Sequence, residues 1–499
     1  MMSIPAFVSL IALLLLASPL VYLGGHLGRR WGLSTVAQRL ALAILAIAWL
    51  PFVFAVRQFQ LGGPVSHTIA GVPLTFDGVS LLLATTVLIL GTIVVLFSGQ
   101  YMAIESGRDK YYAMLLVMIG VMIGLGCAAD LFNLWIWFEA MAVSSYLLVA
   151  FYKDQPSSLE AGVKYLMQSA AGSVLVLLGI GLVLATSGTL NLDEIHSTTA
   201  TSTTLLAAGA LFVIGFGVKT ALVPLHTWLP DAHSEAPSGI SAMLSGIVIE
   251  VGLLAMLRSL GALAPTTVNW GVILMTFGAI NMLVGNLMAL RQRQVKRLLA
   301  YSSLVHVGYM LVGIGIAVYV QEVNGAQGGM FHLFNHGLMK GLAFLAAGAF
   351  LYTLHIAAGD HAPLTTLDLS GAARRYPWAG LALSLALLSL GGLPPLAGFM
   401  SKWQIFSAGF QTHNLFIGML VVFAALNSVF SLVYYAPLVN IVYRRKPSIV
   451  VEGGGSLPFS MEVTLLVLAL AVIAIGLWPS SMNWLTEPAG IALLAPFVS

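Results

Sequence analysis

Along most of the chain, apolar residues run almost unbroken for about twenty positions between short polar stretches. Runs of that length suit helices crossing a bilayer and are too long for membrane-crossing strands. Fourteen spans are read in this way: 4–23, 37–56, 78–101, 111–129, 131–151, 162–186, 205–229, 238–259, 268–290, 298–318, 328–352, 378–409, 414–442 and 462–479. The seventh is broken at Pro224 and the twelfth at Pro394 and Pro395, because proline removes a helix hydrogen bond. The eleventh is expected to break or bend near Gly341. Between spans two and three, 67–77 alternates apolar and polar residues and predicts a small surface hairpin. The first run lacks a basic leader and a cleavage site, so it reads as a retained helix. The closing apolar stretch, 491–498, is too short to span.

Composition agrees with this pattern. The chain has 499 residues, 59% hydrophobic and 8% charged, unlike any soluble domain of that size. Charge placement adds direction. Sixteen of the 21 lysines and arginines fall in odd-numbered loops, Lys296 and Arg297 among them, against Arg57 and Arg258 on the other side. That asymmetry predicts cytoplasmic odd loops and both termini outward; the membrane expected is a prokaryotic cytoplasmic one. Leu222-Val223-Pro224-Leu225 and Leu393-Pro394-Pro395-Leu396 break spans five apart, and an odd offset inverts the second relative to the first. The fold class expected is therefore an all-α polytopic membrane protein of about 14 transmembrane helices, with two inverted five-helix repeats and broken helices 7 and 12. The divisions are 1–110 (helices 1–3), 111–260 (helices 4–8), 261–445 (helices 9–13) and 446–499 (helix 14 and a short tail). One cysteine, Cys127, cannot hold an iron–sulfur cluster, and no nucleotide-binding loop is visible. Any redox chemistry must then sit on partner chains, and no nucleic-acid partner is expected.

The candidate chemistry lies in titratable residues at membrane depth, where charge is costly and usually kept for function. Lys219 precedes the break that holds His226, Asp231 and His233. Glu139 and Glu250 are carboxylates near the middle of spans five and eight; Glu250 is expected to pair with a lysine or to be hydrated. His306 has Ser302, Ser303 and Tyr309 at helical spacing, predicting a hydrogen-bonded stripe. His332, His336 and Lys340 recur every four residues and share one helix face, with His332 placed at its edge. Lys402 follows the second break. A static ion-pair role for Glu139, or a lipid-snorkelling one for Lys219, is the plainer alternative. The proton pathway read here is Glu139, Lys219, Glu250, His306, His336, Lys340 and Lys402, with His226, His332 and Asp231 as accessory groups. No metal site is expected, for no matching carboxylate or thiol set accompanies the histidines.

Five segments carry a family resemblance: DLFNLWIWFE (130–139), KTALVPLHTWLPDAHSEAPSGISAMLSG (219–246), KRLLAYSSLVHVGYM (296–310), FHLFNHGLMKGLAF (331–344) and GGLPPLAGFMSKW (391–403). Over about residues 70 to 440 the chain resembles the antiporter-like membrane subunits of respiratory complex I (NADH:quinone oxidoreductase). That family is shared with group 4 membrane-bound hydrogenases and multisubunit sodium/proton antiporters. The resemblance implies that Glu139 and Lys219 are a coupled pair in a first half-channel. It places His306, His336 and Lys340 on a central hydrophilic axis and Lys402 in a second half-channel. The chain departs from the family at Glu250, where a basic residue is usual. The function implied is proton translocation within a redox-driven membrane complex, with other membrane-arm subunits and the lipid bilayer as partners. No cofactor is bound by this chain; quinone, flavin and iron–sulfur clusters are expected on partner subunits. The alternative is a sodium/proton antiporter subunit without redox partners. A transporter of organic solutes fits less well, since the intramembrane groups mostly titrate, and a non-conducting scaffold would leave them unused.

Overall fold

A computed structural model describes residues 4–198 and 202–498. Among these, thirteen helices are long and apolar enough to cross a membrane, so this is an integral membrane protein. The twelfth expected span takes the form of two 15-residue helices, Pro377–Gly391 and Ala397–Gln411. The seventh is Thr203–Thr220, then a break, then the eight-residue helix Trp228–Glu235. The expected hairpin is present as β1 (Val65–Ile69) paired antiparallel with β2 (Val72–Phe76).

Burial sorts the helices into an interior and a lipid-facing rim. Ser238–Ala262 and Val323–Leu354 are buried almost throughout, whereas Val36–Gly62 and Leu415–Val442 leave most of their apolar surface uncovered. Helices in lipid gain little from hydrophobicity and associate by close van der Waals packing over small residues. Trp270–Ala289 meets Val295–Val320 in this way: a Cβ on Gly278 would stand 2.8 Å from the Gly308 carbonyl oxygen, and one on Gly271 2.6 Å from that of Gly315.

Both breaks survive because polar side chains take over the freed backbone groups, as membrane depth demands. At the first, Ala221 is left-handed (φ 59°) and the Val223–Pro224 bond is cis. Asn281, from the facing helix, accepts from Val223 N at 2.9 Å and donates to Ala221 O at 3.3 Å. At the second, Lys402 donates to Leu390 O at 2.7 Å and Ser428 to Gly391 O at 3.0 Å.

Two expectations are corrected, and one irregularity was not foreseen. The eleventh span is not broken at Gly341: it is one continuous helix, Val323–Leu354. It contains no proline, and at Gly341 the absent Cβ simply admits Leu90. The irregularity lies instead in the eighth, where Leu244–Val248 forms a π-helical turn, a feature common beside functional groups. Finally, Lys296 is no solvated loop residue. It is 5% exposed, and its ammonium is held by the carbonyls of Ala236 and Ser234 at 2.5 and 3.2 Å.

Candidate functional site: a buried polar axis

The two most buried helices carry the centre of the site. Ser238–Ala262 and Val323–Leu354 touch backbone to backbone, since a Cβ on Gly337 would lie 2.9 Å from Gly246 O and one on Gly246 3.0 Å from Gly337 O. Glu250 lies one turn beyond Gly246, and His336 adjoins Gly337. The result is a fully buried contact of 2.5 Å between His336 Nδ1 and Glu250 Oε1. The partner of Glu250 is thus a histidine, not the expected lysine. From span seven, Lys219 packs beside Gly252, where a Cβ would come within 3.0 Å of the Lys219 Cβ, and its ammonium goes to the Tyr165 hydroxyl instead. Glu250 Oε2 and His336 Nε2 have no hydrogen-bond partner among the described residues.

The histidines continue the line. His306 Nδ1 and His332 Nε2 are hydrogen-bonded at 3.0 Å, and His332 Nδ1 reaches Ser401 Oγ at 2.9 Å. The His306 and His336 rings lie 5.1 Å apart. His332 is therefore a fully buried link rather than an edge residue, because Ala397–Gln411 covers the turn of helix that would otherwise face outward. Ser401 leads to its neighbour Lys402, which bonds Leu390 O and, at 2.8 Å, Ser428 Oγ, with its ammonium 4.6 Å above the Tyr309 ring.

Lys340, one turn beyond His336, opens a branch. Its ammonium donates to Ser302 Oγ at 2.5 Å and Leu299 O at 2.7 Å. Ser302 bonds Tyr435, which packs on Tyr434, and Tyr434 donates to Asn286 at 2.9 Å. Ser302 thus serves Lys340, and Ser303 serves Ser245 at 2.6 Å, so neither hydrogen-bonds His306 as the stripe predicted.

The remaining residues stand apart. Lys219 is buried and hydrogen-bonds the Tyr165 hydroxyl; the Tyr165 ring stacks on Trp228 at 4.0 Å. Glu139 makes no ion pair within 4.0 Å among the described residues, but it lies within electrostatic reach of Lys219, so the two face each other across a gap rather than in direct contact. Its Oε1 is buried without a partner, beside the outward stripe of Phe132, Ile136, Val143 and Leu147. His226 sits in the break with Nδ1 unpartnered. Asp231 is a different kind of residue, a part-exposed ion-pair centre bonded to Lys164 at 3.0 Å and Arg297 at 2.5 Å. Partial burial opposes its ionisation, but the two cations prevail and hold its carboxyl below the usual range. Among the described residues no group of three His, Cys, Asp or Glu is arranged to hold a metal ion.

Sequence reasoning missed Tyr165, Ser401, Ser428, Tyr435 and Asn281. Each is a neutral polar residue in an apolar run, and only the partner helix reveals its use.

Comparison with known proteins agrees with this architecture. Residues 128–431 match the family described as "NADH:quinone oxidoreductase/Mrp antiporter, TM". The chain is 32% identical over 460 residues to F(420)H(2) dehydrogenase subunit N of Methanosarcina mazei, covering 89% of this chain and 90% of that one. It is 31% identical over 492 residues to NADH-quinone oxidoreductase subunit N of Desulfitobacterium hafniense, covering 94% of each. A chain of the membrane-bound sulfane sulfur reductase, an archaeal respiratory membrane complex, superposes with a TM-score of 0.87 at 26% identity, over 99% of this chain and 100% of that one. The chain belongs to the NADH:quinone oxidoreductase/Mrp antiporter transmembrane family, as one of its antiporter-like membrane subunits.

Proposed function

We propose that this chain translocates protons as a membrane-arm subunit of a redox-driven complex of the NADH:quinone oxidoreductase type. The observation that carries the reading is the buried series Glu250, His336, His306, His332, Ser401 and Lys402, drawn from four spans and closed off from lipid. Imidazoles pass protons between their two nitrogens, and a carboxylate and a lysine at either end can change charge. Lys219 with Glu139 would load one half of the subunit and Lys402 the other, each half being one of the two inverted five-helix repeats (111–260 and 261–445). His226 would assist at the first break; Asp231 would anchor it.

Relatives named as subunits of redox enzymes support partner subunits that carry the flavin, iron–sulfur and quinone chemistry. Prokaryotic relatives and the basic odd loops support a cytoplasmic membrane, with both termini outward.

The test is Lys340→Met in the purified complex, reconstituted into sealed vesicles. Electron transfer should continue while protons moved per electron fall. Unchanged pumping would contradict the reading. Pumping that required sodium would favour the antiporter alternative.

A further inference from the structure

On the face formed by the basic odd-numbered loops, two cavities of about 680 and 280 Å³ adjoin, sharing Tyr152, Gln155 and His361. Three buried polar atoms on their walls, Glu105 Oε1, Tyr152 Oη and Gln294 Oε1, make no hydrogen bond among the described residues, although His361 Nε2 stands 3.8 Å from Glu105 Oε1. Buried polar atoms of that kind are ordinarily satisfied by water, so the inner cavity, lined by Ser157, Gln155, Gln294 and Lys296, can hold it, while the outer one is walled largely by apolar side chains. Lys296 lines the inner one.

His233, which the axis described above does not use, lies within electrostatic reach of both Lys296 and Lys340. It is fully buried, and neither ring nitrogen has a hydrogen-bond partner among the described residues. Its ring stacks on Phe344 with centroids 4.8 Å apart, and Phe344 stands one helical turn from Lys340. The carbonyls that Lys296 occupies, those of Ser234 and Ala236, belong to residues one and three positions beyond His233. A lysine holding two carbonyls at the end of a helix is well placed as a cap. A cap, however, does not account for an unsatisfied imidazole immediately inside it, or for a polar cavity immediately outside.

We propose that Lys296 is the gate through which the polar axis exchanges protons with the basic face, passing them by way of His233 to Lys340. The proposal rests on the reading of the axis as a proton path. The step conserves protons and runs through water, since no direct hydrogen bond joins the groups. A bridging water gives a proton to a His233 nitrogen and takes one from the Lys296 ammonium. The neutral amine is reprotonated from cavity water open to the bulk. The imidazolium hands its proton on, again through water, to Lys340 in its neutral form. Run backwards, the same step releases protons. Arginine would preserve the cap and its charge but cannot give up its proton, which separates the two roles.

The experiment uses the assembled complex in sealed vesicles, with Lys340→Met as the reference for loss of the axis. Lys296→Arg should assemble and transfer electrons, with protons moved per electron lowered about tenfold or more, as for loss of a positioned proton-transfer group. Ala362→Cys, at the cavity wall, provides a second arm; the native Cys127 is buried and should not react. A bulky membrane-impermeant thiol reagent should block pumping from the basic face and not from the other. If Lys340→Met abolishes pumping while Lys296→Arg and the labelled Ala362→Cys both pump normally, the gate is overturned and the axis stands. If Lys340→Met itself pumps normally, the axis reading fails first.

Discussion

Gly246 and Gly337 meet so closely that a Cβ on Gly337 would lie 2.9 Å from the Gly246 carbonyl oxygen. This contact, between a π-helical turn and the continuous helix opposite, brings Glu250 and His336 to 2.5 Å. Gly337→Ala should force the helices apart. An overpacked interior of this kind costs about 1–3 kcal/mol. Thermal unfolding of the purified protein should show a lower midpoint, and proton movement should fall with it. An unchanged midpoint would mean that the two helices do not touch as described.

Asn281 satisfies both backbone groups freed at the first break. Asn281→Leu keeps the volume but leaves a buried N–H and a buried C=O without partners, at about 1–3 kcal/mol each. No titratable group is lost. The expected result is lower thermal stability, with electron transfer retained in whatever fraction stays folded.

Asp231 ties the Trp228–Glu235 helix to Lys164 and Arg297. Its carboxyl is held below its ordinary value of 3.8, so its stabilising effect is present above about pH 4 and fades as pH falls through the lower folded value. Asp231→Asn should therefore destabilise at pH 7, by about 1 kcal/mol for so exposed a pair. The difference from the unmodified protein should shrink in acid. Unfolding midpoints measured across pH 3 to 7 check both the sign and the window. A constant difference would show that the charge is not what matters.

Tyr165 is the hydroxyl partner of Lys219, and Glu139 is not in direct contact with that lysine. Tyr165→Phe should alter pumping as strongly as Glu139→Gln, and the double variant should fall short of the sum of the two. Additive effects would mean that the two groups act on Lys219 independently.

Much of this architecture was legible in the sequence. Span length and proline position predicted the helix count and both breaks, because membrane helices must satisfy their own backbone. The i, i+4 spacing of His332, His336 and Lys340 predicted a shared face, and all three are buried. What sequence could not give was pairing between helices. Nothing local assigns Glu250 to His336 rather than Lys219, since the choice depends on glycine contacts that let particular helices close. Lys296 was misread for the same reason: a lysine beside arginines looks like a loop residue until a helix end is packed over it. The π-helical turn has no local signature, and Gly341 suggested a break where the helix runs on and the missing Cβ admits Leu90.

The central claim is that charge moves along the buried axis through Glu250, and Glu250→Gln addresses it most directly. Glutamine keeps the shape and can still hydrogen-bond His336, so assembly and electron transfer should persist. The measurement is protons translocated per electron by the reconstituted complex in sealed vesicles. The account predicts a clear fall, on the order of tenfold, in an otherwise intact complex. An unchanged ratio, with the variant fully assembled, would contradict it.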